Sequence, residues 1–471
     1  MGVAGKRRWG GLNTLTNTLE KIPVSGEVAV GIIHQLRQAG HEAYFVGGCV
    51  RDLLRGIEPG DYDIVTSARP DEVQALFPHT VPVGASFGVV LVIEEGQSYE
   101  VATFRTEDGH EDGRRPSQVK FATAREDVCR RDFTVNGLLL DPETGRIIDY
   151  VGGCQDIERR LIRTIGEPEA RLTEDYLRML RAVRFAANLS FEIDQQTFDA
   201  VKRHVPAIRR ISAERIREEL TRLLTGGGAR RGMELLAATC LLAVLLPEVE
   251  AMRGVAQPPT FHPEGDVWEH TMRMLELLPG GVGRKADACL AWGVVMHDIG
   301  KPCTRSEDES GVHFYGHVRK GEEIAGAILR RLKFSRAEME TITDLVHCHM
   351  LFIHVKEMRS NKLKRLLRKP RFDLHLELHR LDCLGSHGFL NNYEFCKTKL
   401  AELATEELHP PPLITGHDLI AMGFRPGPIF SEILKVVEDA QLDGEILTGD
   451  EARRLVMARW GRGVLGSGLF F

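Results

Sequence analysis

The chain has 471 residues, which is enough for about three domains at roughly 150 residues each. Apolar residues make up 43% of it and charged residues 27%, a composition that is typical of globular proteins and excludes fibrous or disordered chains. The formal charge of −6 argues against nonspecific polyanion binding by the whole surface, so any nucleic-acid contact is expected to be local.

The nine cysteines are scattered without a Cys-x-x-Cys pair, which indicates neither a disulfide framework nor a thiolate zinc site. No stretch approaches the ~20 apolar residues that cross a bilayer, and residues 1–11 lack the apolar core of a signal peptide. We therefore expect a cytoplasmic protein with no membrane partner.

The first part of the chain mixes helical and strand patterns. Apolar positions recur at helical spacing over residues 24–38, and short β-like runs follow between helical or Gly/Pro-containing segments. These runs are residues 43–46, 63–66, 89–93 and 100–104. The mixture predicts an α/β head over residues 24–150.

After about residue 150 the strand signal fades, and helices with an apolar stripe are predicted over residues 173–187, 213–225 and 231–246. A Gln-Pro-Pro break at residues 257–259 ends this helical neck. A run of prolines at 410–412 marks a second break. The predicted segments after the head are thus a neck, a histidine-rich helical segment and a helical tail, at 151–255, 256–408 and 409–471.

Two glycines, Gly47 and Gly48, stand between a predicted strand and a predicted helix. Backbone N–H groups at such a helix start can face a triphosphate, and Arg51 can add positive charge there. A Gly-Gly pair in this place is also typical of a plain tight turn. The pair alone does not choose between the two.

Asp61 and Asp63 follow in the Asp-Tyr-Asp segment. Strand geometry would aim both carboxylates from one face with Cα atoms ~6.6 Å apart, and two Mg²⁺ ions could neutralise them during nucleotidyl transfer. Glu100, which opens the last β-like run, could complete this cation site. A solvated acidic loop and an ordinary edge-strand glutamate are the alternatives.

Gly-Gly-x-x-Arg-Asp followed by Asp-x-Asp resembles the bacterial and eukaryotic class of tRNA nucleotidyltransferases, which includes CCA-adding enzymes and the related poly(A) polymerases. The resemblance implies an α+β protein, with a mixed-sheet nucleotidyltransferase head before all-α parts. It also implies that tRNA, CTP and ATP are the substrates and that the head uses two Mg²⁺ ions.

Later motifs extend the resemblance. The segment 130–137 resembles the family's ribose motif, which implies that Arg131 and Asp132 hold the sugar. The segment 174–185 resembles the base-reading motif, in which Asp175 and Arg178 would lie three apart on one helix face and read a Watson–Crick edge. Arg181 and Arg184 would continue this stripe and grip phosphates, unless the arginines only form ion pairs along a bundle. The segment 214–219 resembles the last, supporting motif.

Two further segments concern the substrates. The polar loop 106–116 implies, by the same resemblance, an ability to switch to ATP, because relatives that add only CC lack it. The basic run 356–371 is a candidate tRNA surface, although a solvated helix face explains it equally well.

The histidine-rich segment offers nitrogen and oxygen ligands together, as a divalent ion requires. The order His270, then His297-Asp298, then Asp382 resembles the HD phosphohydrolase superfamily, and His317 and His349 match the extra histidines of its two-metal members. Residues 347 and 349 cannot share a helix face, and His349 is the preferred ligand of the two. The resemblance implies an HD-type domain with a second divalent metal, Mn, Ni, Fe or Mg, or a domain retained only to bind tRNA.

The first hypothesis is template-independent addition of CMP and AMP to the 3′ end of tRNA, with release of pyrophosphate. An A-only tRNA enzyme or a poly(A) polymerase shares the same motifs and stays open. A hypothesis of another class is a metal-dependent HD phosphohydrolase whose head only binds nucleotide. The oligomeric state is not predicted.

Overall fold

The computed structural model describes residues 23–84, 88–108, 118–259, 262–279, 285–403 and 408–465. These residues form two compact units. The first unit holds the described residues up to 253 with residues 275–292 and 327–335, and the second holds 254–274, 293–326 and those from 336 onwards. Two stretches of the segment 256–408 thus belong to the first unit.

The described strands of the first unit are β1 (Ala43–Val46), β2 (Ile64–Thr66), β3 (Thr80–Gly84), β4 (Val89–Glu94), β5 (Gln97–Thr103), β6 (Arg105–Asp108), β7 (Gln118–Phe121), β8 (Leu138–Leu140), β9 (Ile147–Asp149), β10 (Leu161–Ile162) and β11 (Glu192–Ile193). Seven of them form one mixed sheet in the order β3-β4-β5-β2-β1-β8-β9. Strands β2 and β5 run parallel in it, whereas β1 is antiparallel to both β2 and β8.

Alternation along these strands gives the sheet two apolar faces. Phe45 and Ile64 point into the larger core, which also contains Ile33 of the first helix. Val46 and Val65 point to the opposite face, into a smaller core. The sheet is therefore covered on both sides, and polar groups that are to meet substrate must lie at strand ends.

Helices of the head and neck surround the sheet and continue from it. They are α1 (Glu27–Gln38), α2 (Gly48–Leu54), α3 (Pro70–Leu76), α4 (Ala124–Cys129), α5 (Gly153–Arg159), α6 (Pro168–Glu174), α7 (Leu177–Leu189), α8 (Gln195–His204), α9 (Ala213–Thr225), α10 (Ala229–Ala238), α11 (Leu241–Leu245) and α12 (Pro247–Glu250). Short 3-10 helices cover Val24–Gly26, Thr134–Asn136 and Val205–Arg210.

The described chain beyond residue 254 is mainly helical. Its helices are α13 (Val267–Glu276), α14 (Ala288–Met296), α15 (Lys301–Thr304), α16 (His317–Arg331), α17 (Arg336–Cys348), α18 (Ser360–Leu367), α19 (Phe372–Gly385), α20 (Asn391–Glu402), α21 (Gly416–Ala421), α22 (Ile429–Leu442) and α23 (Gly449–Leu465). A 3-10 helix spans His349–Glu357, and a small hairpin joins β12 (Ser306–Asp308) to β13 (Gly311–His313).

The predicted α+β class, with a mixed-sheet head before helical segments, is confirmed. The run 43–46 is a strand as predicted, while β2 begins at Ile64, one residue later than expected. The predicted helix 173–187 is wrong as a single helix, because α6 ends at Glu174 and α7 begins at Leu177. Among the described residues, no helix is long and apolar enough to cross a membrane.

Candidate active site and metal centre

Three predicted carboxylates meet at the start of β2, where this strand pairs with the middle of β5. The parallel register pairs Ile64 with Val101, so the preceding residues, Asp63 and Glu100, are neighbours on adjacent strands. Such neighbours lie about 4.8 Å apart across a sheet. The register that brings Glu100 to the pair of aspartates is a property of the folded sheet and could not be read from the sequence.

Tyr62 fixes the direction of the two aspartates. Its ring is buried and lies 5.3 Å from the ring of Phe45, centroid to centroid. Asp61 is exposed and Asp63 half-buried, so the burial alternates along the segment as in a strand. Both aspartates thus lie opposite the core, as the sequence pattern predicts.

The charges in this cluster are not balanced. Burial raises the pKa of Asp63 to about 6, and the carboxylates of Asp61 and Glu100 act in the same direction, while Arg131 opposes them. Such a group of like charges is favourable only when cations neutralise it, and carboxylate oxygens are the ligands that Mg²⁺ prefers. The donor set therefore fits the predicted magnesium ions.

The glycine turn lies beside Arg131. Gly47 has φ of 78°, a left-handed value that favours glycine, and α2 starts at the next residue. A Cβ atom at Gly47 would lie 3.6 Å from Nη1 of Arg131, so the guanidinium covers the turn. Asp127 holds this arginine, with Nη2 donating to Oδ2 at 3.0 Å. A positive charge is thereby fixed beside the turn, where it also acts on Asp63.

Arg51 is buried and has partners within the head. Its Nη1 donates to Oδ1 of Asn136 at 2.7 Å, and its Nε and Nη2 donate to Asp52 at 3.0 and 2.9 Å. The bond to Asn136 ties α2 to the segment that follows Asp132. The prediction that Arg51 contacts phosphate stays a prediction.

Asp132 is a buried anion with fixed partners. Burial by itself would raise its pKa, but the ion pair with Arg181 and the bond from the Phe133 amide lower the pKa to about 2. Nε of Arg181 donates to its Oδ2 at 2.7 Å, and the Phe133 N–H donates to its Oδ1 at 2.8 Å. The predicted ribose residue and the predicted phosphate residue Arg181 are thus paired with each other.

The base-reading pair does not share a helix face, and that prediction is wrong. Asp175 lies in the break between α6 and α7, with an extended backbone, because its Oδ1 accepts the Leu177 N–H at 3.0 Å and starts the next helix. Arg178 stands on the first turn of α7. The two residues still lie close in sequence at one helix start.

Each member of the pair is held by a residue that the sequence interpretation did not assign. Arg215 of α9 donates to Asp175 from Nη2 to Oδ2 at 2.6 Å. Glu174 accepts from Nη1 of Arg178, which also donates to the Arg171 carbonyl at 2.7 Å. The supporting motif 214–219 was the available signal for Arg215.

Arg184 is similarly engaged within the first unit. Its Nε donates to Oε2 of Glu219 at 2.6 Å, and Nη1 of Arg181 lies 3.8 Å from Oε1 of the same glutamate. Glu219 is buried, and it stands one turn after Arg215 on α9. The arginines of α7 are therefore positioned by carboxylates, and their contact with phosphate stays a prediction.

In the second unit, the predicted metal ligands form two triads whose ligand atoms lie within 4.8 Å of one another. The first triad is His270, His297 and Asp382, and the second is Asp298, His317 and His349. The residues come from five places in the chain, between α13 and α19. All six predicted ligands of this site are thus brought together.

Three of the histidines in the triads have the same ring orientation. Nδ1 of His297, His317 and His349 lies 2.9, 2.8 and 2.7 Å from the backbone carbonyl oxygen three residues earlier. A carbonyl oxygen can only accept, so the proton is on Nδ1 and the lone pair on Nε2. Each Nε2 is buried without a hydrogen bond to any described residue. This is the state a metal ligand needs.

Asp298 stands between the two triads. Its Oδ2 lies 3.2 Å from Nε2 of His297, and its Oδ1 lies 3.7 Å from Nε2 of both His317 and His349. Burial would raise its pKa, but the ammonium group of Lys301, at 2.6 Å from Oδ2, holds the pKa well below the usual range. The carboxylate is ionised and faces both triads, so the donor set fits a pair of divalent ions.

Glu264 and His262 are functional candidates that the sequence interpretation missed. Oε1 of Glu264 lies 2.8 Å from Nδ1 of His270 and 2.8 Å from Nδ1 of His262. No spacing rule marks a glutamate six residues before the ligand. His347, the rejected alternative to His349, lies outside the triads, with Nδ1 3.0 Å from Oε2 of Glu322.

A cavity of about 500 Å³ opens onto this cluster. Asp298, His317, His349 and Asp382 contribute to its floor together with Lys301, and its walls are largely apolar and aromatic. A small molecule could therefore reach the predicted ligands.

The basic run 356–371 is partly neutralised within the second unit. Arg365 and Arg368 both bind Glu438 of α22, and Lys364 donates to the Leu442 carbonyl at 3.0 Å. Lys369 binds Asp344 at 2.8 Å. These contacts fix α18 to neighbouring helices. Lys356, Arg359 and Lys362 are exposed, and the run stays a candidate tRNA surface.

Three families match separate parts of the chain. The poly A polymerase head domain matches residues 43–163, and a family described as a "probable RNA and SrmB-binding site of polymerase A" matches residues 190–253. The family tRNA nucleotidyltransferase domain 2 matches residues 305–454.

Similar proteins cover nearly the whole chain. A CCA-adding enzyme of Anoxybacillus flavithermus is 34% identical over 427 residues, which are 89% of this chain and 93% of that enzyme. One of Geobacillus thermodenitrificans is 52% identical over 218 residues, 46% of this chain, and the chain spans about half, 54%, of that relative. The crystal structure of the Bacillus stearothermophilus CCA-adding enzyme in complex with CTP is 30% identical with a TM-score of 0.69, over 94% of this chain and 99% of that one.

Because the charge at Asp63 is unbalanced, its removal should raise the free energy of unfolding by an amount that depends on pH. The pKa of about 6 in the folded protein lies above the ordinary 3.8, so the wild type loses stability as pH rises through this window. Without divalent ions, Asp63→Asn should raise the free energy of unfolding by about 1–3 kcal/mol above pH ~6, and by nothing below pH ~4.

Thermal unfolding at pH 4 and pH 7.5 in a chelating buffer measures this gain. Glu58→Gln, at an exposed position, is the matched control and should give no pH-dependent gain. An equal gain in both variants, or none in Asp63→Asn, would contradict the electrostatic account.

Proposed function

The chain belongs to the family of CCA-adding enzymes, and on this premise we propose that it adds CMP and AMP, from CTP and ATP, to the 3′ end of tRNA without a nucleic-acid template. The observation that carries the proposal is the cluster of Asp61, Asp63 and Glu100 beside the Gly47 turn and Arg131. The 3′ hydroxyl of tRNA would attack the α-phosphorus of the nucleotide, and pyrophosphate would leave.

Asp61, Asp63 and Glu100 would hold two Mg²⁺ ions, which when bound supply charge neutralisation for the attacking hydroxyl and the leaving pyrophosphate. The turn at Gly47 lets the backbone come close to the triphosphate, because no Cβ stands in the way. Arg131, fixed by Asp127, offers donors to the phosphates or the ribose beside it. Positioning by rigid groups supplies the remaining catalysis.

Selection of the nucleotide would rest on Asp132, Asp175 and Arg178. Asp132 stays ionised in its buried site and can accept a bond from a ribose hydroxyl. Asp175 is an acceptor and Arg178 a fork of donors, as reading a Watson–Crick edge requires. Arg215 and Glu174 hold these two side chains in place, so the protein itself can act as the template.

Asp61→Ala and Asp63→Ala should each lower the incorporation of both CMP and AMP by roughly 10³-fold or more, since loss of a metal-holding carboxylate removes several kcal/mol of transition-state stabilisation. Binding of tRNA should stay nearly unchanged, because the two side chains lie opposite the core and their loss should leave the fold intact. Single-turnover incorporation and filter binding measure the two effects. Substantial residual incorporation by either variant would remove the head pair from catalysis.

Asp175→Ala and Arg178→Ala should lower the preference for the correct nucleotide by about 10- to 100-fold, which is the value of a lost charge-assisted hydrogen bond. The rate of the favoured reaction should fall less than the selectivity. Competition between CTP and ATP on tRNA that ends before CCA measures the selectivity. Arg222→Ala, whose side chain is 62% exposed, is the control, and selectivity equal to that control would rule out the template role.

A second activity is favoured by the two triads, and we propose that the second unit holds one or two divalent ions, Mn, Ni, Fe or Mg, and hydrolyses phosphomonoesters or cyclic phosphates. The buried Nε2 atoms of His297, His317 and His349, which have no hydrogen bond to a described residue, support the proposal. Ions at this site would supply Lewis-acid activation for phosphoester hydrolysis. Lys301 and the apolar walls of the cavity would bind the phosphorylated substrate.

Metal-dependent phosphate release should survive Asp61→Ala and be lost in His297→Ala. His347→Ala is the matched control, because this histidine is exposed and lies outside the triads. Release of phosphate from a generic phosphomonoester, measured with Mn²⁺ or Ni²⁺ added, tests the assignment. Activity that is lost in Asp61→Ala but kept in His297→Ala would assign the hydrolysis to the head.

A further inference from the structure

The candidate metal ligands differ in the groups that support them. His297, His317 and His349 are all backed by neutral backbone carbonyls, at 2.7 to 2.9 Å from Nδ1. Their supporting bonds are equivalent, so they give no reason for one triad to bind an ion more tightly than the other.

His270 lies against a charged group instead. Its Nδ1 lies 2.8 Å from Oε1 of Glu264, whose side chain is fully buried, and its Nε2 faces Oδ1 of Asp382 at 3.2 Å. His262 lies against the same glutamate oxygen and helps to hold it in place. A carboxylate behind a ligating imidazole orients the ring and makes its outer nitrogen a stronger donor.

The charges around the two triads also favour the triad that contains His270. The first triad, His270, His297 and Asp382, has the carboxylates of both Asp382 and Glu264. The second has the carboxylate of Asp298, whose Oδ2 also faces His297 of the first triad, and the ammonium group of Lys301 lies 2.6 Å from that oxygen. A divalent cation should therefore be attracted more strongly to the first triad.

We infer that Glu264 is a positioning residue that makes the triad of His270, His297 and Asp382 the tighter of two unequal ion sites. The inference rests on the proposed metal centre of the second unit. It assigns a function to a residue outside the six predicted ligands. It also fixes an order of loading, in which the ion at the Asp298 triad binds second.

A titration with Co²⁺ tests the order of loading directly. Calorimetry measures the binding events, and the visible absorption of Co²⁺ reports ligation by nitrogen. The full chain carries Asp61→Asn and Asp63→Asn, so that ions in the head are not counted. We expect two binding events of different affinity. His317→Ala should remove only the weaker event, and His270→Ala should remove the tighter one.

Glu264→Gln should weaken the tighter event by about 10- to 100-fold, the usual effect of losing an outer-shell partner, and leave the weaker one unchanged. Glu269→Gln, on the same helix as His270, is the matched control and should change neither event. Glu264→Asp should restore part of the affinity, because it restores the charge. A purely structural role for Glu264 would weaken both events equally.

The titration outcomes distinguish a wrong role for Glu264 from a wrong metal centre. If the unsubstituted triads bind no Co²⁺, the metal centre itself is wrong. If two ions bind with equal affinity, or Glu264→Gln leaves both events intact, the metal centre stands and the role of Glu264 is overturned. Folding of each variant is checked by nucleotide incorporation in a chain with the head intact; if Glu264→Gln does not fold, the Glu264→Asp and His317→Ala titrations decide.

Discussion

Repulsion among three carboxylates at one end of a parallel strand pair is the constraint on which the rest of the head depends. Asp63 and Glu100 are neighbours because β2 and β5 run in register, and Tyr62 turns both aspartates away from the core. Arg131 faces this cluster and covers the Gly47 turn. The surrounding charges are paired, Arg181 with Asp132 and Arg215 with Asp175, so the cluster keeps an unbalanced negative charge for cations to neutralise.

The second unit uses a related arrangement with nitrogen donors. Backbone carbonyls fix the rings of His297, His317 and His349, and each outer nitrogen is left without a bond to a described residue in a buried place. Asp298 faces both triads with different oxygens. A buried polar atom without a partner destabilises the fold unless a ligand binds it. The geometry therefore favours a bound ion. The head cluster thus has an excess of negative charge, whereas the triads have nitrogen lone pairs without partners among the described residues.

Local patterns predicted much of this, and contacts distant in sequence account for the rest. The strand 43–46, the shared face of Asp61 and Asp63 and the grouping of the six candidate ligands followed from spacing and resemblance. The bond from Arg215 to Asp175 joins residues 40 positions apart and has no local sequence signal. The break at Asp175, where its side chain accepts the Leu177 N–H, was predicted as a continuous helix. Glu264 carries no spacing signal. Residues 109–116 of the loop 106–116 lie outside the described residues. The first residues of that loop belong to β6, which pairs with β7.

Sequencing the products formed on a tRNA that ends before CCA tests the central claim most directly. With CTP and ATP together, the account predicts the single product CCA; with CTP alone it predicts addition that stops at CC, and with ATP alone no efficient addition. Runs of A on any 3′ end, or A added only to tRNA that already ends in CC, would contradict it and point to a poly(A) polymerase or an A-only enzyme.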